Sequence, residues 1–402
     1  MFYKPFCVKS LRFYVVWAAV LASYEFTVSN AWAAEPVNSD EQRAFLTNPR
    51  LLLGTDADRS ASVRIGDIDG DGDLDVVVAN GRHWPQQNLL CINQGRASFN
   101  VIRKLGEDLA TSYATELADL DGDGDLDIAV GNDRAPNKIF INNGRGHFAL
   151  HTEFGSISSI RSLTLADVDD DGDVDILANS RGAQNMIYYN DGAAHFSDGQ
   201  PFGHGDDSTI DVAFGDIDGD GHGDLILANR DSQQNYVLLN DGKNGFDDRV
   251  PFGTGRDETR AVAVADLDGD GNLDLVAGNI GERNAVFKGD GKGGFGDALM
   301  FGREDGRTYA VSIQDMDNDG TPDLIVGNAG QENAVFFNQG DGTQFEEVRL
   351  TRRNREDETS NGIDESTVTY GVAVGDLDGD GYPDIAIANS DAQNLIFLNR
   401  PR

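Results

Sequence analysis

The sequence predicts an all-β chain folded as a seven-bladed β-propeller. Three observations carry that expectation. A nine-residue stretch, Asp266-Leu-Asp-Gly-Asp-Gly-Asn-Leu-Asp274, recurs with small changes at seven places. Successive copies start 52, 48, 49, 50, 49 and 61 residues apart, a period that suits the roughly four strands of a propeller blade. The flanks of each copy, such as Val262–Ala265 and Leu275–Gly278, alternate or run apolar over a few residues and read as strands.

In chain order, residues 1–33 read as a secretory leader. Lys4, Lys9 and Arg12 are its basic start, Phe13–Tyr24 its short apolar run, and Ala31-Trp-Ala33 its cleavage site, with the cut after Ala33. The apolar run is short against the roughly 20 residues that span a bilayer, so no stable membrane span is expected once the leader is cut. Residues 34–402 are then the propeller, in a secreted protein that is extracellular or periplasmic. Cys7 leaves with the leader. Cys91 stays alone, which excludes an internal disulfide and makes it a small buried residue on a strand.

Each repeat reads the same way. An inner strand (Ala261–Ala265) enters the nine-residue loop, and a second strand (Leu275–Gly278) leaves it and ends at Asn279. A third strand (Ala285–Lys288) is followed by a Gly-rich hairpin, Gly289–Gly294. A fourth closes at Phe301-Gly302. Asn190-Asp-Gly192 and Asn240-Asp-Gly242 suit tight turns between two strands. The chain ends on a third strand, Leu395–Leu398, and begins with an unattached outer strand, Ala44-Phe45 through Leu53-Gly54. The N-terminal strand is therefore expected to complete the last blade and close the ring, leaving no free edge there.

The loop itself points to a metal. Numbered one to nine, position one is Asp67, Asp119, Asp167, Asp216, Asp266, Asp315 or Asp376, and position three is Asp69, Asp121, Asp169, Asp218, Asp268, Asp317 or Asp378. Position five is Asp71, Asp123, Asp171, Asp220, Asp270, Asp319 or Asp380, and position nine is Asp75, Asp127, Asp175, Asp224, Asp274, Asp323 or Asp384. Position six is Gly in every copy. Position seven is Asp73, Asp125, Asp173, His222, Asn272, Thr321 or Tyr382, a spread that suits a backbone carbonyl rather than a side chain. Such clustered carboxylates repel one another unless a cation neutralises them. An all-oxygen, flexible cage suits Ca²⁺ better than Mg²⁺, so about seven Ca²⁺ are expected, one per blade. It is not an EF-hand: position twelve is an apolar strand residue such as Val78 or Ile387, not a bidentate Glu.

This combination of Asp loops with Phe-Gly and Asn-Gly punctuation resembles the FG-GAP, or VCBS-type, repeat. That repeat builds the propeller of integrin α subunits and occurs in many exported bacterial proteins. The resemblance covers essentially all of residues 34–402. It implies a calcium-binding propeller whose binding face lies opposite the metal loops. The integrin leg domains and membrane anchor have no counterpart here, so a receptor function does not carry over.

The formal charge of −37 excludes nucleic acid as a partner through its phosphates. A carbohydrate or extracellular protein is the expected ligand. Six positions before each loop stand Ala61, Tyr113, Arg161, Ile210, Arg260, Tyr309 and Tyr370, at the channel mouth. Tyr and Arg there suit sugars and carboxylates. The connection after Asn80 adds Arg82, His83 and Trp84, and a polar insertion around Thr351–Ser366, with Arg352, belongs to the same face. No nucleophile elbow, zinc-protease helix or P-loop is present, so a non-catalytic adhesion module is the first reading. A propeller polysaccharide lyase or hydrolase, with His83 and Tyr113 as the pairing, is the alternative. Two charges, Arg64 and Glu116, break the small-residue pattern of adjacent inner strands at the same position, and Asp211 breaks it elsewhere. Arg64 and Glu116 are expected to pair.

Overall fold

In the computed structural model, residues 43–350 and 367–401 are described. The leader and the Thr351–Ser366 insertion, with Arg352, lie outside them. The described residues form seven antiparallel sheets and no helix. The inner strands of blades one to seven are Ser60–Gly66, Ser112–Ala118, Ile160–Ala166, Thr209–Gly215, Thr259–Ala265, Thr308–Gln314 and Val368–Gly375. Each packs against the next, and the last packs against the first, so the ring is closed. Among the described residues no helix is long and apolar enough to cross a membrane.

Closure follows the expected route. Arg43–Leu46 and Leu52–Leu53 both pair antiparallel with Asn394–Pro401, adding the outer strand of blade seven. The seam is well filled. Phe45, Leu51 and Leu53 are buried, Phe45 stacks on Phe337 at 6.3 Å, and Arg43 Nε donates to Asn399 Oδ1 at 2.9 Å.

The second strand of each blade is buried along its whole length, as in Asp75–Asn80 and Asp127–Asn132, because neighbouring blades cover both faces. The apolar clusters lie between blades. One joins Val63, Val78 and Cys91 of blade one to Ala386 and Ile396 of blade seven. Cys91 is fully buried, and burial pushes its thiol up to about 12. The Phe of each Phe-Gly pair enters the next blade: Phe154 meets Tyr188, Phe252 meets Phe287 and Phe301 meets Phe336 edge-on, at 5.5, 5.7 and 5.1 Å. The hairpin loops are longer than the tightest turns. The loop after Asn190 closes on Phe196 and that after Gly289 on Phe295, so several residues intervene rather than two. An Asx-type bond sets that length, since Asp191 Oδ1 accepts the N–H groups of Ala193 and His195.

A second device, invisible in the periodicity, ties the blades together. At the start of the third strand in five of the blades an Asn spans two blades. Asn88 Oδ1 accepts the Asn80 N–H within its own blade at 2.8 Å, and its Nδ2 donates to Ser112 Oγ of the next blade at 2.8 Å. The Ser112 hydroxyl then donates to Asn132 Oδ1 at 2.9 Å. The same relay runs from Asn185 to Thr209, Asn235 to Thr259, Asn333 to Thr369 and, across the closure, Asn394 to Ser60. In blade three, Ile160 and Ser180 replace the hydroxyl and the amide, and the joint from blade two lacks the bond.

Candidate functional site

The metal loops have one geometry throughout. The position-six glycines all sit at positive φ, from 90° at Gly271 and Gly381 to 99° at Gly172, where a side chain is strained. Position four is also left-handed, which Asp170 and Asn318 tolerate because short polar side chains do so better than others. Position one caps the turn: Asp67 accepts the Gly70 and Gly72 N–H groups at 2.8 and 3.0 Å. Position five accepts the N–H of position seven, as Asp71 does from Asp73 at 2.9 Å.

Position nine has a second duty that sequence reasoning missed. Asp75 accepts the Ile68 N–H on one oxygen at 3.2 Å and the Asn93 N–H on the other at 2.7 Å, bolting the loop to the third strand. Its equivalents, such as Asp323 with Met316 and Asn338, do the same. Burial pushes these carboxyls far up: Asp323 to about 8, Asp75, Asp175 and Asp384 to about 7, and Asp127 and Asp224 to about 6. A protein that gathers and desolvates acids in this way lowers its own cost by binding a cation.

Two further observations fit a cation. Carboxylate oxygens of positions one, three and nine converge within 4.8 Å in blades two to five, as in Asp119, Asp121 and Asp127. At position three, Asp69, Asp169 and Asp378 each keep a buried side-chain oxygen with no hydrogen-bond partner. A buried acceptor left unmet is costly, and a divalent ion would meet it. Positions one, three, five and nine would hold it, together with the carbonyl of position seven. Position-seven side chains lean elsewhere: a Cβ on hairpin Gly144 or Gly291 would collide with Asp125 or Asn272, and His222 Nδ1 meets Asp170 Oδ2 of blade three at 2.8 Å. Two loops also carry a tethered cation. Lys288 Nζ lies 2.6 Å from Asp268 Oδ2, and Arg400 contacts Asp378 and Asp380.

At the other end, every inner strand carries a register shift at the same place. The shifts fall between Ser60 and Ser62, Ser112 and Ala114, Ile160 and Ser162, Thr209 and Asp211, Thr259 and Ala261, Thr308 and Ala310, and Thr369 and Gly371. The residue skipped is Ala61, Tyr113, Arg161, Ile210, Arg260, Tyr309 or Tyr370. A bulge takes a residue out of the ladder and re-aims its side chain. All seven line one axial cavity of about 110 Å³, with Arg64, Glu116 and Asp211 on its wall.

The mouth residues pack on one another. Tyr309 and Tyr370 meet edge-on at 5.0 Å. Arg161 lies over Tyr113 at 4.4 Å and pairs with Asp133 at 3.1 Å. The 81–86 loop reaches in to the same mouth. Arg82 donates to Ser390 Oγ at 3.0 Å and lies over Tyr370 at 4.3 Å, while His83 Nε2 meets the Tyr113 hydroxyl at 2.9 Å. Burial, with Arg82 and Arg161 nearby, lowers His83, so it is neutral at pH 7. Trp84 stays outside, 64% exposed.

Arg64 and Glu116 do pair, with Nε to Oε2 at 2.6 Å and NH2 to Oε1 at 2.5 Å. Arg64→Ala strands the carboxylate in the channel wall. The expected loss is about 2 kcal/mol, less than for a fully buried pair because the Arg64 side chain keeps 36% of its exposure. Replacing both by apolar residues should cost less than the single change. A double-mutant cycle by chemical unfolding measures this, and additive losses would contradict the pairing.

The FG-GAP-like repeat profile matches residues 119–178, 167–227, 216–277, 266–326 and 315–387. The chain belongs to the FG-GAP-like repeat family. Each matched unit runs from one Asp loop through a whole repeat into the second strand after the next loop. No curated protein matches this FG-GAP-like chain. Among solved structures, two of BBS1N in complex with ARL6DN are similar, one soaked with mercury and one with lead. Their TM-scores are 0.56 and 0.55 at 13% identity, covering 88% of this chain and 96% of those. At that identity the likeness shows the fold alone.

Proposed function

We propose that this FG-GAP-like propeller is an exported calcium-binding protein, with a leader in residues 1–33 and the propeller in 34–402. It holds about seven Ca²⁺ in its Asp loops and acts as a non-catalytic binding or adhesion module. Its ligand, a carbohydrate or an extracellular protein, is met on the face opposite those loops.

One observation carries the reading: seven bulges, one per blade, turn Tyr, Arg and smaller residues toward a single mouth. Bulges interrupt pairing, and proteins place them where a side chain must be re-aimed. Tyr offers a flat apolar face with a polar tip and Arg a planar fork of donors, a pair that suits sugar faces and their polar edges. Support for a protein ligand is more general: BBS1N, of the same fold, was crystallised with ARL6DN bound.

A glycan array in calcium buffer tests the reading. Tyr309→Ala with Arg260→Ala is expected to abolish binding to whichever glycan is found, while calcium content and melting temperature change little. Full affinity in the double variant would make the mouth residues a plug. The contact of His83 with Tyr113 favours one alternative, a polysaccharide lyase. New ultraviolet absorbance from unsaturated ends, on incubation with uronic-acid polymers, would establish that instead.

A further inference from the structure

Most charged side chains that line the mouth have a polar partner. Arg64 is held by Glu116, Arg161 by Asp133 and Arg82 by Ser390. Among the described residues, Arg260 donates no hydrogen bond and has no carboxylate within 4 Å. Asp211 comes nearest in charge, but its carboxylate accepts the Val262 N–H at 3.2 Å. The Arg260 guanidinium instead lies 5.1 and 5.5 Å from the ring centres of Tyr309 and Tyr370. Arg230 nearby adds to the positive potential, and burial depresses Arg260.

Arg260 is only partly buried, and its two aromatic faces contribute about 0.5–2 kcal/mol each at best. Its N–H donors find no acceptor among the described residues and stay open to a ligand at the cavity. The Tyr309 and Tyr370 hydroxyls donate no hydrogen bond among the described residues either, so further donors border the same space. The cavity, about 110 Å³, has room for a few waters or one carboxylate, not for a sugar ring.

We propose that Arg260 is the receptor for an anionic group on the ligand, and that the ligand is an acidic saccharide carrying a carboxylate or a sulfate. The anionic group enters the cavity and completes the guanidinium, while the sugar ring stays at the rim against the tyrosines. A peptide carboxylate would use the guanidinium but leave the aromatic rim without a partner. This deepens the binding role proposed above and rests on the mouth being the binding face.

The test is calorimetric titration of the calcium-loaded full chain with glucuronate, glucose, inorganic sulfate and N-acetylglutamate amide. Glucuronate is expected to bind at least tenfold more tightly than glucose, and Arg260→Gln to remove that advantage. Sulfate should compete with glucuronate for the same site. The melting temperature of Arg260→Gln without sugar should hold or rise, because an unmatched charge is removed; a fall of several degrees would make Arg260 a structural prop and overturn the proposal. Equal binding of glucose and glucuronate, both lost in Tyr309→Ala, would overturn the anion receptor and leave the mouth as binding face. Sugar binding indifferent to both variants would overturn the mouth itself. Tighter binding of N-acetylglutamate amide than of glucuronate would overturn the assignment to a saccharide.

Discussion

Deleting residues 41–54 is expected to destroy cooperative unfolding and cause aggregation, whereas deleting 34–40 should leave the melting curve nearly unchanged. The longer deletion removes both segments that pair with Asn394–Pro401 and so leaves blade seven with a bare edge. It also takes Phe45, Leu51 and Leu53 out of the core, at roughly 1.5–3 kcal/mol each. Arg43 goes with them, and with it the bond to Asn399 and the stacking over the Tyr382 ring at 3.6 Å. An exposed strand edge is a template for pairing with other chains, hence the aggregation. Light scattering and thermal melts of both truncations decide the matter, and equal stability would refute the closing role of Arg43–Leu53.

Metal removal should have the next largest effect, and its pH dependence should reverse the usual one. With extracellular affinities of ~0.1–1 mM, seven loops in millimolar calcium contribute roughly 3–10 kcal/mol, or on the order of 10 °C in melting temperature. In the metal-free protein burial raises the position-nine carboxyls, six of them to about 6 to 8, against 3.8 for an ordinary Asp. Between those values the unfolded chain binds fewer protons than the folded one, so stability falls as pH rises from about 4 to 8. With calcium present the carboxylates are held ionised and that fall disappears. Melts of dialysed protein at pH 5 and pH 8, with and without calcium, separate the two cases. Metal-free protein more stable at pH 8 than at pH 5, or elemental analysis finding one calcium or none, would count against the loops as metal sites.

Much of this was legible in the residues. Spacing set the blade number, and the orphan strands at Ala44-Phe45 and Leu395–Leu398 set the closure. The breach of the small-residue pattern by Arg64 and Glu116 marked a real ion pair. The mouth positions were found by counting back from the loops, but the reason they share a mouth was not. A bulge is an extra residue in one strand relative to its partner, and period-two alternation in a single sequence cannot reveal it. The asparagine relay was hidden for a related reason. Asn88 and Ser112 are ordinary polar residues at strand starts in their own repeats and acquire meaning only when two blades meet. The contacts of Arg82 with Ser390 and of His83 with Tyr113 join different blades, so no single repeat shows them.

The pairing of Arg43–Leu46 with Asn394–Pro401 also fixes an order of events during synthesis. Arg43–Leu46 has no partner in its sheet until Asn394–Pro401 follow it. Six blades can form as their hairpins appear, each from contacts local in sequence, while the opening segment waits. The last step then joins two stretches separated by nearly the whole chain, the kind of contact that folds slowly. Throughout that wait the nascent protein carries two unmatched edges, and a chain that stalls before Asn394 never acquires the strand that closes the circle.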